Sequence, residues 1–272
     1  MPRDQHGASA HTLDPEQIYR RTRAEGKRRL ERPLVELAAT AFVGGVDVAF
    51  GVAALGLAGG LFEARFGTAV GSLAGAIAFG IGFVFVVVGK SELFTENFLV
   101  PIAALDRRSR DSWLKLGELW AATLVLNLAA GALLAIVLTS RGVLSHDAHA
   151  PLVRLGERLG GMPVAAAFLS ALVAGALMTL MTWFVEGAAE STGVRIVMAW
   201  VVGALIALGT FNHAIVSTIE IVFGIRLGAH VAYADLFTNL GIAVAGNLAG
   251  GLGLVTFARF AQALGSDGDR RR

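Results

Sequence analysis

The sequence predicts an all-α membrane protein: six transmembrane helices in two halves of opposite orientation, with the second and fifth helices broken. Three observations lead there. Of 272 residues, 55% are hydrophobic and only 16% charged, with a mean hydropathy of +0.64. Soluble domains carry about 25% charged residues, so a chain this poor in charge is solvated by lipid. Glycine is abundant, at 34 residues, as expected of helices whose backbones touch where lipid supplies no hydrophobic drive. Two polar interruptions, 120 residues apart, break apolar runs at matching places in the two halves. Cysteine is absent, which excludes disulfides, thiolate metal sites and cysteine nucleophiles.

Thirteen of the 44 charged side chains lie in residues 1–33. This basic N-terminal segment lacks the apolar core of a secretory signal. From Asp14 to Arg32 it reads as a helix capped near Asp14–Pro15, bearing Arg20, Arg21, Arg23, Lys27, Arg28, Arg29 and Arg32. The simplest reading is a solvated basic leader on the cytoplasmic side, and nothing in it demands a specific lipid headgroup or protein partner. The six-helix domain is expected over 34–263, followed by a cytoplasmic tail, 264–272.

A crossing needs ~20 apolar residues. Six runs qualify: 34–62, 71–105, 113–139, 163–185, 195–224 and 233–263. The second is too long for one crossing and holds Lys90, Glu92 and Glu96. The fifth holds Asn212 and His213 deep in apolar text. With six spans, one side collects seventeen Lys and Arg and the other five, with Lys90 left inside a span. Basic residues accumulate on the cytoplasmic face, so both termini are expected there, in an inner (plasma) membrane of bacterial type.

The third span contains Asn-Leu-Ala-Ala-Gly from Asn127, and the sixth contains Asn-Leu-Ala-Gly-Gly from Asn247. The same 120-residue offset carries Ser91-Glu92-Leu93-Phe94 onto Phe211-Asn212-His213-Ala214. Three spans per half is an odd number, so the halves are inverted, the plan in which interrupted helices point at a midplane site. Non-helical backbone at that depth belongs in protein or along a cavity, and ionisable groups there are usually functional. Gly89 and Gly209 open the breaks. Phenylalanine mixed with polar residues suits a narrow gate beside a polar site, and converging half-helix N-termini suit an anion.

His213 is the only histidine in an apolar run, and its imidazole can donate a hydrogen bond or a proton to an anion in transit. No second histidine or carboxylate has ligand spacing to it, so no metal is expected, and nothing calls for a cofactor or nucleic acid. Lys90, Glu92 and Glu96 either pair with each other or with neighbouring subunits, or a carboxylate among them faces the pathway. Asp47 and Glu220 are equally open. Asn127 and Asn247 either hold the loops through their amides or act as interhelical glue.

These residues resemble the formate/nitrite transporter family. The resemblance covers residues 34–263 and rests on Glu92-Leu93-Phe94-Thr95, Phe211-Asn212-His213, Asn127 and Gly246-Asn247-Leu-Ala-Gly-Gly251. It implies an aquaporin-like fold, one pore per protomer in a homopentamer, and proton-coupled passage of small monovalent anions such as formate, nitrite or hydrosulfide. By resemblance Leu93 and Phe94 are constriction residues, Thr95 the polar loop residue, His213 the central histidine and Asn247 its support. Four positions depart from the pattern. Asn212 stands where family members commonly have glutamate. Leu159 and Gly175 stand where many have a lysine and an asparagine, with Arg158 adjacent to attract anions. Glu96 follows Thr95 where a small residue is common. The chain is similar to a divergent branch.

The leading function is therefore transport of a small monoanion or its conjugate acid through the bilayer. A neutral-solute channel (water, ammonia or a small polyol) on the same fold is the alternative. A non-conducting sensor acting through residues 1–33 is a weaker one. An enzyme using Ser91 and His213 as nucleophile and base is not expected, because no carboxylate orients the histidine and no nucleophile elbow is present.

Overall fold

The computed structural model describes residues 13–188 and 191–270. Residues 1–12 of the basic segment and 271–272 of the tail lie outside the described residues.

The chain begins with α1 (Pro15–Leu30), opened by a reciprocal cap. Gln17 N–H donates to the Asp14 carboxylate at 2.9 Å, and Asp14 N–H donates to the Gln17 side chain at 3.0 Å. Pro15 fills the first position, where no N–H is needed. Two long helices follow, α2 (Leu34–Phe66) and α3 (Thr68–Gly89), joined at Gly67, whose φ of 86° permits the hairpin. After a break come a 3₁₀ turn (Phe94–Phe98) and the short α4 (Val100–Ala104). The first half ends with α5 (Arg110–Leu138), capped by Ser109.

The second half opens with α6 (His149–Gly160), whose twelve residues are too few to span a bilayer. Next come α7 (Val164–Gly187) and α8 (Thr192–Gly209), a second break, and α9 (Ala214–Leu227). Finally α10 (Tyr233–Leu248) continues through a π segment (Ala249–Thr256) into α11 (Phe257–Arg270). Among the described residues six helices are long and apolar enough to cross a bilayer, as expected. Large apolar side chains such as Leu114, Leu169 and Phe237 remain exposed, a surface suited to lipid or a neighbouring subunit. Phe79, Phe83, Leu93, Phe98 and Phe223 are buried in the core.

The internal repeat reaches further than the sequence match. Pro33 caps α2 with φ −59° and ψ 143°, and Pro163 caps α7 with φ −57° and ψ 140°. A Cβ on Gly26 of α1 would meet the backbone of Val100 in α4, and one on Gly156 of α6 would meet Gly224 and the Glu220 carbonyl in α9. These pairs are offset by 130 residues on the first partner and 120 on the second. The difference lies in the α2–α3 hairpin, since α2 has 33 residues and α7 only 24. Each half is thus one short helix plus three spans.

Close approach of helices within each half depends on glycine. A Cβ on Gly45 would stand 2.1 Å from the Asn127 carbonyl oxygen, and one on Gly175 would stand 2.2 Å from that of Asn247. No side chain fits there, which lets each asparagine-bearing helix lie directly on α2 or α7.

Candidate functional site

Both breaks are built alike. Lys90 and Thr210 adopt left-handed φ values of 57° and 50°, a conformation costing ~1–2 kcal/mol outside glycine. Ser91 N–H then donates back to Val86 O at 3.1 Å, and Phe211 N–H to Ile206 O at 3.0 Å. Gly89 and Gly209 are the last helical residues, so the turn falls one residue after each expected hinge. Gly209 is needed for space: a Cβ there would lie 2.4 Å from the Phe211 ring.

Asn127 and Asn247 hold the two breaks by matching sets of bonds. Phe94 N–H donates to Asn127 Oδ1 at 2.9 Å, and Asn127 Nδ2 donates to Glu92 O at 2.9 Å and Ala41 O at 2.7 Å. Ala214 N–H donates to Asn247 Oδ1 at 2.8 Å, and Asn247 Nδ2 donates to Asn212 O at 3.0 Å and Ala171 O at 2.7 Å. Each amide both secures its break and ties it to α2 or α7, so the loop-holding and interhelical roles coincide.

The two breaks meet at His213 and Thr95, both fully buried. His213 caps α9: its Nδ1 accepts the N–H groups of Ile215 at 3.2 Å and Val216 at 3.1 Å. A nitrogen that accepts carries no proton, so this network assigns the neutral ring's hydrogen to Nε2. Nε2 lies 2.8 Å from Thr95 Oγ1 and donates to it, which leaves the threonine hydroxyl proton available to a third group. The Phe83 ring is 6.2 Å from the imidazole. Phe94 stacks edge-on against Phe98 at 5.0 Å and Trp120 at 6.5 Å. Leu93 is buried, and its N–H donates to the Glu96 carboxylate at 3.0 Å. One free donor, the Thr95 hydroxyl oriented by the imidazole N–H, thus sits among apolar walls, a chemistry that suits a small anion or a polar neutral molecule.

The partners of Glu92 lie at the end of α1 and just beyond it. Arg29 donates to Glu92 at 3.2 Å and to Asn97 Oδ1 at 3.0 Å, and Arg32 makes a short ion pair with the other Glu92 oxygen. The Arg29 and Arg32 side chains are only 12% and 8% exposed, so this end of α1 is not a solvated leader. Among the described residues no bond joins Lys90, Glu92 and Glu96 to one another. Lys90 is exposed and lines a cavity of about 450 Å³ with Arg28, Arg29, Arg195 and Glu186. Sequence reasoning missed Arg29 as a site residue because nothing local shows α1 folding back onto the first break. Ser91 Oγ donates to Asp47 at 2.6 Å, which engages the hydroxyl away from His213.

Burial by itself would push the Glu25 carboxyl up, but hydrogen bonds and charge from Arg28 and Arg29 outweigh it and hold Glu25 below its ordinary value of 4.5. A depressed carboxyl contributes stability above its unfolded value and loses it as pH falls through the folded one. The α1 helix should therefore lose stability on acidification below about 4.5. Faster amide exchange in α1 than in α5 on lowering the pH is the expected result, and equal protection at pH 7 and pH 3.5 would contradict it.

Among the described residues the second break has no ion pair. Asn212 and Asn239 form a reciprocal amide pair at 2.9 and 3.1 Å. Leu159 is buried in an apolar cluster with Ile221 and Leu236, and Gly175 abuts Asn247. Arg158 lines a cavity of about 310 Å³ with Thr210, Arg154 and Glu63, and Arg154 pairs with Glu63. Phe211 is half-buried beside it in sequence.

The chain is similar to known proteins. Residues 16–261 match the model of a family described as formate/nitrite transporter. The chain is 25% identical to the inner membrane protein YfdC of Escherichia coli (strain K12), over 94% of this chain and 81% of that one. It is 30% identical to a probable formate transporter of Methanothermobacter thermautotrophicus, over 80% and 85%. In fold it resembles a pentameric formate channel solved with formate bound, with a TM-score of 0.71 over 85% of this chain and 97% of that one, at 19% identity.

Proposed function

This chain belongs to the formate/nitrite transporter family, and from that premise we propose that it carries a small monovalent anion of the formate, nitrite or hydrosulfide kind, or its conjugate acid, with a proton delivered at His213. It is a multi-pass membrane transport protein and not an enzyme.

The observation that carries the proposal is the 2.8 Å contact between His213 Nε2 and Thr95 Oγ1 where the two breaks meet. An anion enters past the basic vestibule residues, Lys90 on one side and Arg158 on the other, and passes Leu93 and Phe94. It is then held by the O–H donor of Thr95, which the His213 N–H orients. Phe211 lines the second approach, and Asn212 and Asn247 keep His213 in place, as Glu92, Glu96 and Asn127 keep Thr95. A proton joining the anion there removes its charge, so the acid crosses the apolar walls without the desolvation cost of an ion. Both termini lie in the cytoplasm, supported by the seventeen-to-five excess of basic residues. The domain divides into residues 1–33, 34–263 and 264–272. The pentameric assembly of the formate channel supports a homopentamer here, and the name of the E. coli relative supports the inner membrane.

The test is flux into liposomes of formate, nitrite, hydrosulfide and acetate under a pH gradient. His213→Phe should lower it by about 10²-fold, the lower bound for a lost proton-handling group. Equal flux in the two proteins would remove the histidine from the mechanism. A neutral-solute channel is the second reading, favoured by the uncharged Asn212–Asn239 pair beside His213. Anion-carried currents under voltage clamp would dismiss it.

A further inference from the structure

Three carboxylates are buried among the described residues: Glu92, Glu96 and Glu220. Glu92 is held by Arg29 and Arg32, and Glu96 by the Leu93 N–H. Glu220, 4% exposed on α9, has neither an ion pair nor a hydrogen bond to its carboxyl. Buried ionisable groups in membrane proteins are paired or used, and this one is not paired. The fold does not ask for it either. The repeat places Glu220 where the first half has Val100, and Val100 is fully buried. An apolar side chain thus satisfies the packing at this place.

His213, Ser217 and Glu220 are spaced by four and three residues, so they form one row along α9 and its cap. Ser217 is fully buried, and its Oγ accepts the His213 N–H at 3.0 Å. The first half has Leu93, Asn97 and Val100 in the same row. Seven residues at ~1.5 Å each put Glu220 about 10 Å beyond His213 along the helix, toward the end of α9 that packs on α6.

The proton needs a source other than the resting histidine. Nδ1 is occupied by two backbone N–H donors, and loss of the Nε2 proton alone would leave an anionic ring. We propose that Glu220 is the proton-carrying residue of the pathway. Its carboxylic acid releases a proton along the Ser217 row to the anion held at Thr95 and His213. The resulting carboxylate takes a proton back from the solution on the α6 side. One proton leaves and one returns, and the anion departs as the neutral acid.

Among the described residues no charged group on the elements packed against α9, Arg158 of α6 and Arg110 and Glu118 of α5 included, pairs with Glu220. Arg154 of α6 pairs with Glu63 of α2, and Glu157 of α6 accepts the His230 N–H. Asp235 of α10 accepts the Ala232 N–H, Asp47 of α2 binds Ser91, and Arg226 of α9 donates to Thr139. Arg158 lines the α6-side cavity, and Arg65 of α2 lies over Phe66. Glu36 of α2 pairs with Arg32, and Lys115 of α5 pairs with Asp111 on the same helix.

This inference rests on the transport reading, and the experiment separates the two. Full-length protein in liposomes is given formate with an acidic exterior or at symmetric pH. Wild type should show a rate ratio well above one. Glu220→Gln and Glu220→Val should abolish that acid stimulation, a loss of about tenfold or more, and Glu220→Asp should keep it. A folded Gln variant with the wild-type ratio overturns the proposal, and so does one without flux at any pH, because Glu220 would then serve passage itself. Infrared difference spectra of the wild type give an answer that needs no variant. Adding formate should change a carboxylic acid C=O band that shifts on ¹³C-glutamate labelling, and a spectrum without such a band overturns the proposal. A wild type that moves no tested anion defeats the transport reading, while a missing infrared band separately overturns the role of Glu220.

Discussion

Glu92→Gln should cost about 3–5 kcal/mol of stability, the range measured when one partner of a buried ion pair is removed. The glutamine is nearly isosteric, so the loss comes from charge. Arg29 and Arg32 would stay 12% and 8% exposed with their shared carboxylate gone. Such buried clusters are weak evidence for stability as a whole, since an apolar replacement often serves as well. The second half of this chain already contains that replacement. In the register of the repeat Arg29, Arg32 and Glu92 correspond to Leu159, Met162 and Asn212, and Leu159 is buried among apolar neighbours. The triple variant Arg29→Leu, Arg32→Met, Glu92→Asn should therefore recover most of what the single change loses. Thermal unfolding in detergent measures both. An unshifted midpoint for Glu92→Gln, or a triple variant no better than the single one, would contradict this account of the first break.

Asn247→Leu should be the most damaging change near His213. It deletes three hydrogen bonds and leaves the Ala214 N–H and the Asn212 and Ala171 carbonyls without their partner in a buried site. Each unsatisfied group costs about 1–3 kcal/mol, so several kcal/mol are at stake, and His213 lies between the released residues 212 and 214. A displacement near 1 Å at such a site can lower rates by about 10²-fold, so flux should fall even where enough protein folds to be assayed. Asn247→Asp separates the roles: it keeps an acceptor for Ala214 N–H but loses both amide donations. An intermediate loss of stability is expected, and a variant as stable as wild type would show the two donations to be dispensable. Asn127→Leu should repeat the pattern at the first break, through Phe94, Glu92 and Ala41.

Much of this architecture was legible in the text of the chain. The six spans follow from hydropathy, because lipid imposes a length on any helix that crosses it. The repeat was visible through Asn127 and Asn247, since an amide that must satisfy both a loop and a neighbouring helix tolerates little substitution in kind. The breaks were visible through Lys90–Glu96 and Asn212–His213, polar text that apolar surroundings make conspicuous. Other features were not legible. The position of α6 was hidden because a helix of twelve residues carries no spanning signal. Lys90 and Thr210, not the adjacent glycines, take the left-handed conformation, and Gly209 serves instead to make room for the Phe211 ring.

Composition and hydrophobic period are properties of short stretches, and they were enough to establish a six-span inverted repeat with two polar breaks. Pairing between distant residues is a property of packing. The meeting of Thr95 with His213 across 118 residues, the seating of Arg29 on Glu92 across 63 and the solitude of Glu220 arise from which helices lie against which. Side-chain spacing along one helix constrains neighbours three and four residues away, but it carries no information about the element that will cover them.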